Sequence, residues 1–303
     1  MFFNKSHSNF YICQISLCRL AHLLTMSRNA SHAGSWYSGT RNNLLDDMEK
    51  DLIMADQFEI ASRVVIAPHA GYSHCSTTQA HSFKNLQDSN RVVILGPSHF
   101  FPLKDVALPH FRYLETPING LQVDTNSIQE LHHRGFNLKL DEKQDLKEHS
   151  IEMELPWLAH LQPKTSIVPL LIGKLDAKKQ HTLSLLLKEW YQDPKTAFVI
   201  SSDFCHWGDR FGYTYLPGES GEISKGIEKL DKMSTKYLDS GDLQGFHKYL
   251  VKTKNTICGR DSIELMLNVM SNPIGKLLHY SQSGKVKSES DSSVSYMSYS
   301  FYE

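Results

Sequence analysis

The 303-residue chain lacks several things, and each absence narrows what it can do. It has 5 cysteines, an odd number, and no CxxC pair. A chain this long can build its own core, so reduced cytosolic thiols are expected rather than a disulfide framework. An excess charge of one sign is missing too. The net charge is −1, and no basic stripe interleaves with aromatic residues. That removes the electrostatic footprint of a protein that binds nucleic acid or an anionic membrane. No apolar run approaches the roughly 20 residues of a membrane span. P-loop, GxGxxG, HExxH and GxSxG signatures are absent. The familiar nucleotide-binding, zincin and α/β-hydrolase sites are therefore disfavoured.

Histidine, by contrast, is plentiful at 16 residues, and its placement follows a rule. The stretches RVVIAPH (63–69), RVVILGPSH (91–99) and AFVISSDFCH (197–206) share one grammar. A short, β-branched apolar run stops at Gly, Pro or Ser, and a histidine follows. Such runs suit strands buried on both faces of a parallel sheet, and SIVPLLIG (166–173) has the same character. Between them lie segments with apolar residues at three- and four-residue steps: 43–54, 183–192, 222–238 and 261–270. The alternation predicts an α/β fold, layered, with a largely parallel central sheet flanked by helices. The period-two tail SVSYMSYSFYE reads as a closing strand at a sheet edge. Residues 27–303 read as one domain. Residues 1–26 make a poor signal peptide, because Gln14, Ser16 and Arg19 break the apolar stretch. They are expected to be a disordered extension, with a mitochondrial presequence as the alternative.

Ligands of open α/β sheets bind beyond the carboxyl ends of the strands. If the three histidine-bearing strands are parallel neighbours, His69, His99 and His206 share one crevice. A lone histidine after a strand is more often a hydrogen-bonded loop residue; the threefold repetition favours a site. Cys258, in TICGRDS (256–262), precedes a predicted helix whose amides would favour a thiolate, although a buried small hydrophobe is the commoner fate of a cysteine. EHSIEME (148–154) offers Glu148, His149, Glu152 and Glu154, with Ser150 as a possible helix cap. Glu154 is expected on an exposed helix face. SHAGSWY (31–37) adds His32, with Trp36 and Tyr37 as packing aromatics. Arg210 and Arg260 lie near these motifs and could pair with a phosphate or with a surface acid. Histidine and cysteine together suit a borderline or soft metal: iron, zinc or copper.

ASHAGSWY, IAPHAGY, ILGPSH, EHSIEME, SSDFCHWG, GEI, LDKM, NTICGR and DSSVSY, in that order, resemble the Memo family, named for a mediator of receptor-driven cell motility. The resemblance runs from about Ala30 to Tyr296. It implies a fold related to class III extradiol ring-cleaving dioxygenases. It implies a metal site at His69, His99 and Cys258, with cysteine standing where the dioxygenases have a carboxylate. His206 becomes the acid/base histidine with Asp203 beside it, and His149 lines the same cleft as a third catalytic candidate. Iron or copper is the implied cofactor, with zinc possible. The implied roles are redox chemistry, signalling and recognition of phosphotyrosine-bearing receptor tails.

A thiolate in place of the carboxylate softens the site and argues against inherited ring cleavage. Three functions remain in competition. One is a metal-dependent oxidoreductase with a small-molecule substrate, His206 moving protons while Asp203 orients it. Another is a non-catalytic adaptor whose cleft takes a phosphopeptide. The third is a zinc hydrolase. The expected location is the cytoplasm, with the nucleus as a second compartment. Nothing in the sequence fixes the oligomeric state.

Overall fold

The computed structural model describes residues 27–59, 61–218 and 221–303. The expectation for residues 1–26 falls outside the described residues. The apolar runs become strands that continue one another's core. β1 (Ser27–Arg28) is followed by β2 (Val64–Ala67), β3 (Arg91–Pro97), β4 (Val106–Ala107), β5 (Tyr113–Leu114) and β6 (Leu121–Val123). Then come β7 (Ser166–Ile172), β8 (Thr196–Ser201), β9 (His206–Trp207), β10 (Ile274–Gln282) and β11 (Ser293–Tyr302). Among the described residues they form one sheet in the order β1-β5-β6-β7-β3-β8-β2-β11-β10, with β4 on β7 and β9 on β11.

The centre of the sheet, β7-β3-β8-β2, is parallel throughout. Val64–Ala67, Val92–Leu95 and Ala197–Ile200 have no exposed surface, as strands covered on both faces require. The cover comes from two groups of helices. Arg41–Met54, Tyr72–Lys84 and Leu155–Leu161 pack together, the second of them against β2, β10 and β11. Ala177–Tyr191, Ile223–Leu238, Leu243–Thr253 and Arg260–Val269 form the other group, which packs against β3, β8, β10 and β11. The fold is a mixed α/β fold with an open, helix-flanked sheet.

Two features depart from the sequence expectation. The tail strand β11 is not an edge: it pairs antiparallel with both β2 and β10, and β10 takes the edge. Its alternation therefore reflects different neighbours on the two faces, since all but two of its ten residues are buried. The other is Pro169, inside a central strand where a missing N–H normally forbids it. β6 pairs with Ser166 and Ile167, and β4 with Leu171 and Ile172. Pro169 faces the gap between those two short partners, so no ladder bond is lost there.

Candidate metal centre

β3, β8 and β2 are adjacent and parallel, so their carboxyl ends open on one edge of the sheet. His69 follows β2, His99 follows β3, Asp203 lies in the loop after β8, and His206 opens β9. The repeated strand–histidine pattern thus converges as expected. All four residues, with His149, Trp36 and Arg210, line one cleft of 620 Å³. The ring centroids of His69 and His99 are 4.9 Å apart, those of His69 and His149 5.5 Å, and those of His99 and His149 4.4 Å. One ligating atom from each of His69, His99 and His149 lies within 4.8 Å of the others, close enough to converge on one ion.

Each ring is held from behind. His69 Nδ1 is 2.7 Å from Ser201 Oγ, which turns Nε2 towards the cleft. There Nε2 meets the Cys258 sulfur at 3.2 Å. His99 is gripped twice by Glu148: its backbone N–H donates to Oε2 at 2.6 Å, and Nδ1 lies 2.9 Å from Oε1. The same Oε1 accepts from the N–H groups of His149 and Ser150. His149 Nδ1 is buried without a hydrogen-bond partner. The Trp36 ring lies 4.5 Å from that of His149, so Trp36 forms a cleft wall rather than core packing. Tyr37 does join the core.

Cys258 is brought in by a close approach of two loops. Its backbone N–H donates to Asp203 O at 3.3 Å, and its sulfur accepts from the Asp203 N–H at 3.1 Å. A Cβ on the next residue, Gly259, would fall 2.5 Å from Ser202 Cβ and 2.7 Å from Ser201 O. Only glycine permits the contact that seats the thiol beside His69.

The electrostatics separate the groups. Burial and the neighbouring His99, His149 and His206 push His69 well below the usual imidazole range, so its ring is neutral. Burial and the charge on His99 also lower His149, to about 4. Burial opposes protonation of His99 as well, but hydrogen bonds to Cys258 and Glu148 outweigh it and raise the ring to about 10. Glu148 is correspondingly held low as a carboxylate: burial opposes this, and the bond to His99 overcomes it. Of the three converging rings, His99 pairs with Glu148 as imidazolium and carboxylate, while His69 and His149 are neutral.

Several sequence expectations need correction. Burial pushes the Cys258 thiol up, against His99, which lowers it, so the helix start does not make a thiolate by itself. Asp203 does not orient the His206 ring. Its carboxylate accepts from the His69 N–H at 2.9 Å, while His206 Nδ1 lies 2.9 Å from the Phe204 carbonyl. Burial raises Asp203 to about 7, and the His69 N–H opposes it. Ser150 caps no helix; its hydroxyl donates to Pro97 O. Glu154 is not on an exposed face but is wholly buried. Its Oε1 sits 2.8 Å from Ser201 Oγ, and burial drives its carboxyl well above the ordinary range. Arg260 is exposed and does not line the cleft. Ser201 has no role in the sequence reading; its place as the last residue of a buried strand ending beside His69 is the signal that marks it.

His32 and Glu152 belong to a neighbouring cluster. Both Glu152 oxygens are filled: Arg28 Nη1 donates at 2.6 Å, Ser31 Oγ at 2.9 Å, the His32 N–H at 2.8 Å and Tyr37 Oη at 2.9 Å. Arg28 also donates to the carbonyls of Asp145 and Glu148. This sealed cluster fixes the backbone on which Glu148 and His149 stand.

No helix among the described residues is long and apolar enough to cross a membrane. A family model described as Memo-like protein matches residues 28–300. Protein MEMO1 of Danio rerio is 41% identical over 282 residues, covering 89% of this chain and 95% of that protein. Protein MEMO1 of Homo sapiens is 39% identical over 282 residues, with the same two coverages. The Protein memo-1 homolog of Caenorhabditis elegans is 41% identical over 286 residues, or 90% of this chain and 81% of that one.

Proposed function

The chain belongs to the Memo-like protein family, and on that premise we propose that it is a metal-binding protein with a redox or signalling role. His69, His99 and Cys258 hold iron or copper, and His149 stands by as a fourth donor. The observation that carries this reading is the convergence of three imidazoles within 4.8 Å, with the Cys258 sulfur 3.2 Å from His69 Nε2. The donors fit such an ion. Two of the rings are neutral, the orphaned His149 Nδ1 lacks a partner, and Glu148 backs His99 as carboxylates commonly back ligating histidines. Nitrogen and sulfur donors together favour a borderline or soft metal. When bound, iron or copper would supply one-electron chemistry and a Lewis-acid centre.

The chain's own residues do the rest. His206 donates through Nδ1 to Phe204 O, which leaves Nε2 as a proton acceptor for a small molecule in the cleft. Burial lowers His206, so the ring accepts a proton only when a substrate supplies one. Asp203 braces the His69 backbone and so acts by position. A sulfur where the extradiol enzymes carry a carboxylate argues against ring cleavage, and kinship to their fold is part of the same proposal. Unpaired thiols at Cys75, Cys205 and Cys258 suit the cytoplasm or nucleus.

One observation favours a second reading, an adaptor that binds a phosphopeptide. Arg210 lines the cleft together with Ser35, Ser73, Ser292 and Ser293, a set able to cradle a phosphate. A zinc hydrolase stands behind both. Elemental analysis of protein purified without added metal, with Cys258→Ser beside it, separates them. Iron or copper that is lost in Cys258→Ser supports the proposal. Zinc alone, retained in that variant, points to the hydrolase; no metal in either chain leaves the adaptor.

A further inference from the structure

We infer that Ser201 and Glu154 set the tautomer of His69, holding the proton on Nδ1 so that Nε2 presents a lone pair to the cleft. This inference rests on reading His69 as a metal ligand, and it concerns a relay behind that ligand. Ser201 Oγ has three polar neighbours: Ser150 O at 2.6 Å, His69 Nδ1 at 2.7 Å and Glu154 Oε1 at 2.8 Å. Ser150, Ser201 and Glu154 have no exposed surface, so water does not compete.

A serine hydroxyl carries one proton and accepts through two lone pairs. The Ser150 carbonyl can only accept. An ionised Glu154 can only accept as well; a neutral one can donate. In either state the single serine proton is claimed on the side away from His69. His69 Nδ1 must then be the donor, because a bare nitrogen facing a bare oxygen would leave both buried atoms unsatisfied. On the cleft side Nε2 lies 3.2 Å from the Cys258 sulfur, which also lies 3.4 Å from the Asp203 carbonyl oxygen.

Glu154 contributes more than a filled volume. Its Oε2 has no hydrogen-bond partner, so the carboxyl is tied to the serine through Oε1. That contact fills one direction around the hydroxyl oxygen, and the Ser150 carbonyl at 2.6 Å takes its proton. A neutral Glu154 completes the arrangement: the hydroxyl then accepts from Nδ1 and from the acid and donates to Ser150 O. Ser201 and Glu154 are thus positioning residues, acting on the ion only through His69.

The test reads the ring directly in metal-free protein. Long-range ¹H–¹⁵N spectra of ¹⁵N-histidine-labelled chain, with His69 assigned against His69→Gln, report which nitrogen is protonated. The expected result is a protonated Nδ1 and an unprotonated Nε2 in the native chain and in Glu154→Gln, whose amide can replace the acid. Ser201→Ala should mix the two tautomers and weaken anaerobic Fe(II) or Cu(I) binding by about tenfold, the usual size of a lost partner behind a ligand. A protonated Nε2 in the native chain overturns the inference. So does a Ser201→Ala chain with both tautomer and affinity unchanged. Should Ser201→Ala fail to fold, the native and Glu154→Gln spectra still decide. A native chain that binds no metal refutes the proposed function and leaves the tautomer result to stand or fall alone.

Discussion

Two polar clusters lie side by side at one end of the sheet, and they differ in how completely they are satisfied. Around Glu152 every charge has its answer: Arg28 and the hydroxyls and amides of residues 31–37 fill both carboxylate oxygens. Around His69, His99 and His149 the bonding is one-sided. The backs of two rings are clamped by Ser201 and Glu148, His149 has an unfilled nitrogen, and the fronts face a cleft. Folding alone explains the first cluster, because buried charges must be paired. It does not explain the second, where three imidazoles converge on a cleft and a buried His149 nitrogen is left without a partner. That asymmetry marks the candidate metal centre more firmly than the number of histidines does.

If the comparison holds, substitutions in the two clusters should have opposite signatures. The largest effect on stability is expected from Glu152→Ala, which strips a buried guanidinium of one of its two acidic partners. Denaturant unfolding should show a loss of about 3 kcal/mol, at the lower end for a broken buried pair because Asp145 remains. A loss below about 1 kcal/mol would mean that the sealed cluster is not structural.

Next comes Asp231, from the LDKM motif, a third polar site with no cleft. It is fully buried, takes Asn255 Nδ2 at 2.9 Å, and burial raises it to about 6 from 3.8, with Asn255 and Tyr280 opposing. A raised folded value means that the folded chain binds more protons than the unfolded one between those two values. The stabilising contribution is therefore full below about pH 4 and is lost as pH rises towards 6. Asp231→Asn should flatten that part of the stability–pH curve and stabilise the chain at pH 8 by at most about 3 kcal/mol, two pKa units at roughly 1.4 each. An unchanged slope would show that Asp231 ionises as easily in the fold as outside it.

Cys258→Ser should do the reverse of Glu152→Ala. In metal-free protein its unfolding free energy should move by less than about 1 kcal/mol, since the side chain keeps its size and a donor. Metal affinity should fall at least about tenfold, seen by titration in reducing anaerobic buffer. The smallest structural effect belongs to Arg210→Ala. Unfolding should shift within about 0.5 kcal/mol, while any phosphate-dependent peptide capture by the cleft should disappear; capture that survives would remove Arg210 from the adaptor reading.

Much of this was legible in the residues. Strands covered on both faces must be apolar throughout, so the four central runs announced themselves, and their parallel order delivered His69, His99 and His206 to one edge. What escaped was anything set by contacts across the fold. Glu154 looked like a surface acid because nothing near it in the chain reveals that Ser201 will close over it. Asp203 looked like a partner for His206 because they are close in sequence, yet the loop turns the carboxylate back to the His69 amide. Cys258 sits at a helix start, but burial against Ser202 and His69 governs its thiol. The tail strand carried an edge-like alternation and is nevertheless paired on both sides.

The central claim is that imidazoles from separate strand ends grip a single ion, and calorimetric titration tests it most directly. Fe(II), Cu(I) and Zn(II) would each be added anaerobically to the native chain and to the double variant His69→Ala, His99→Ala. The account predicts one tightly held equivalent per native chain and none in the double variant, with both chains equally folded. Equal binding by the two chains would place the ion elsewhere and contradict the account.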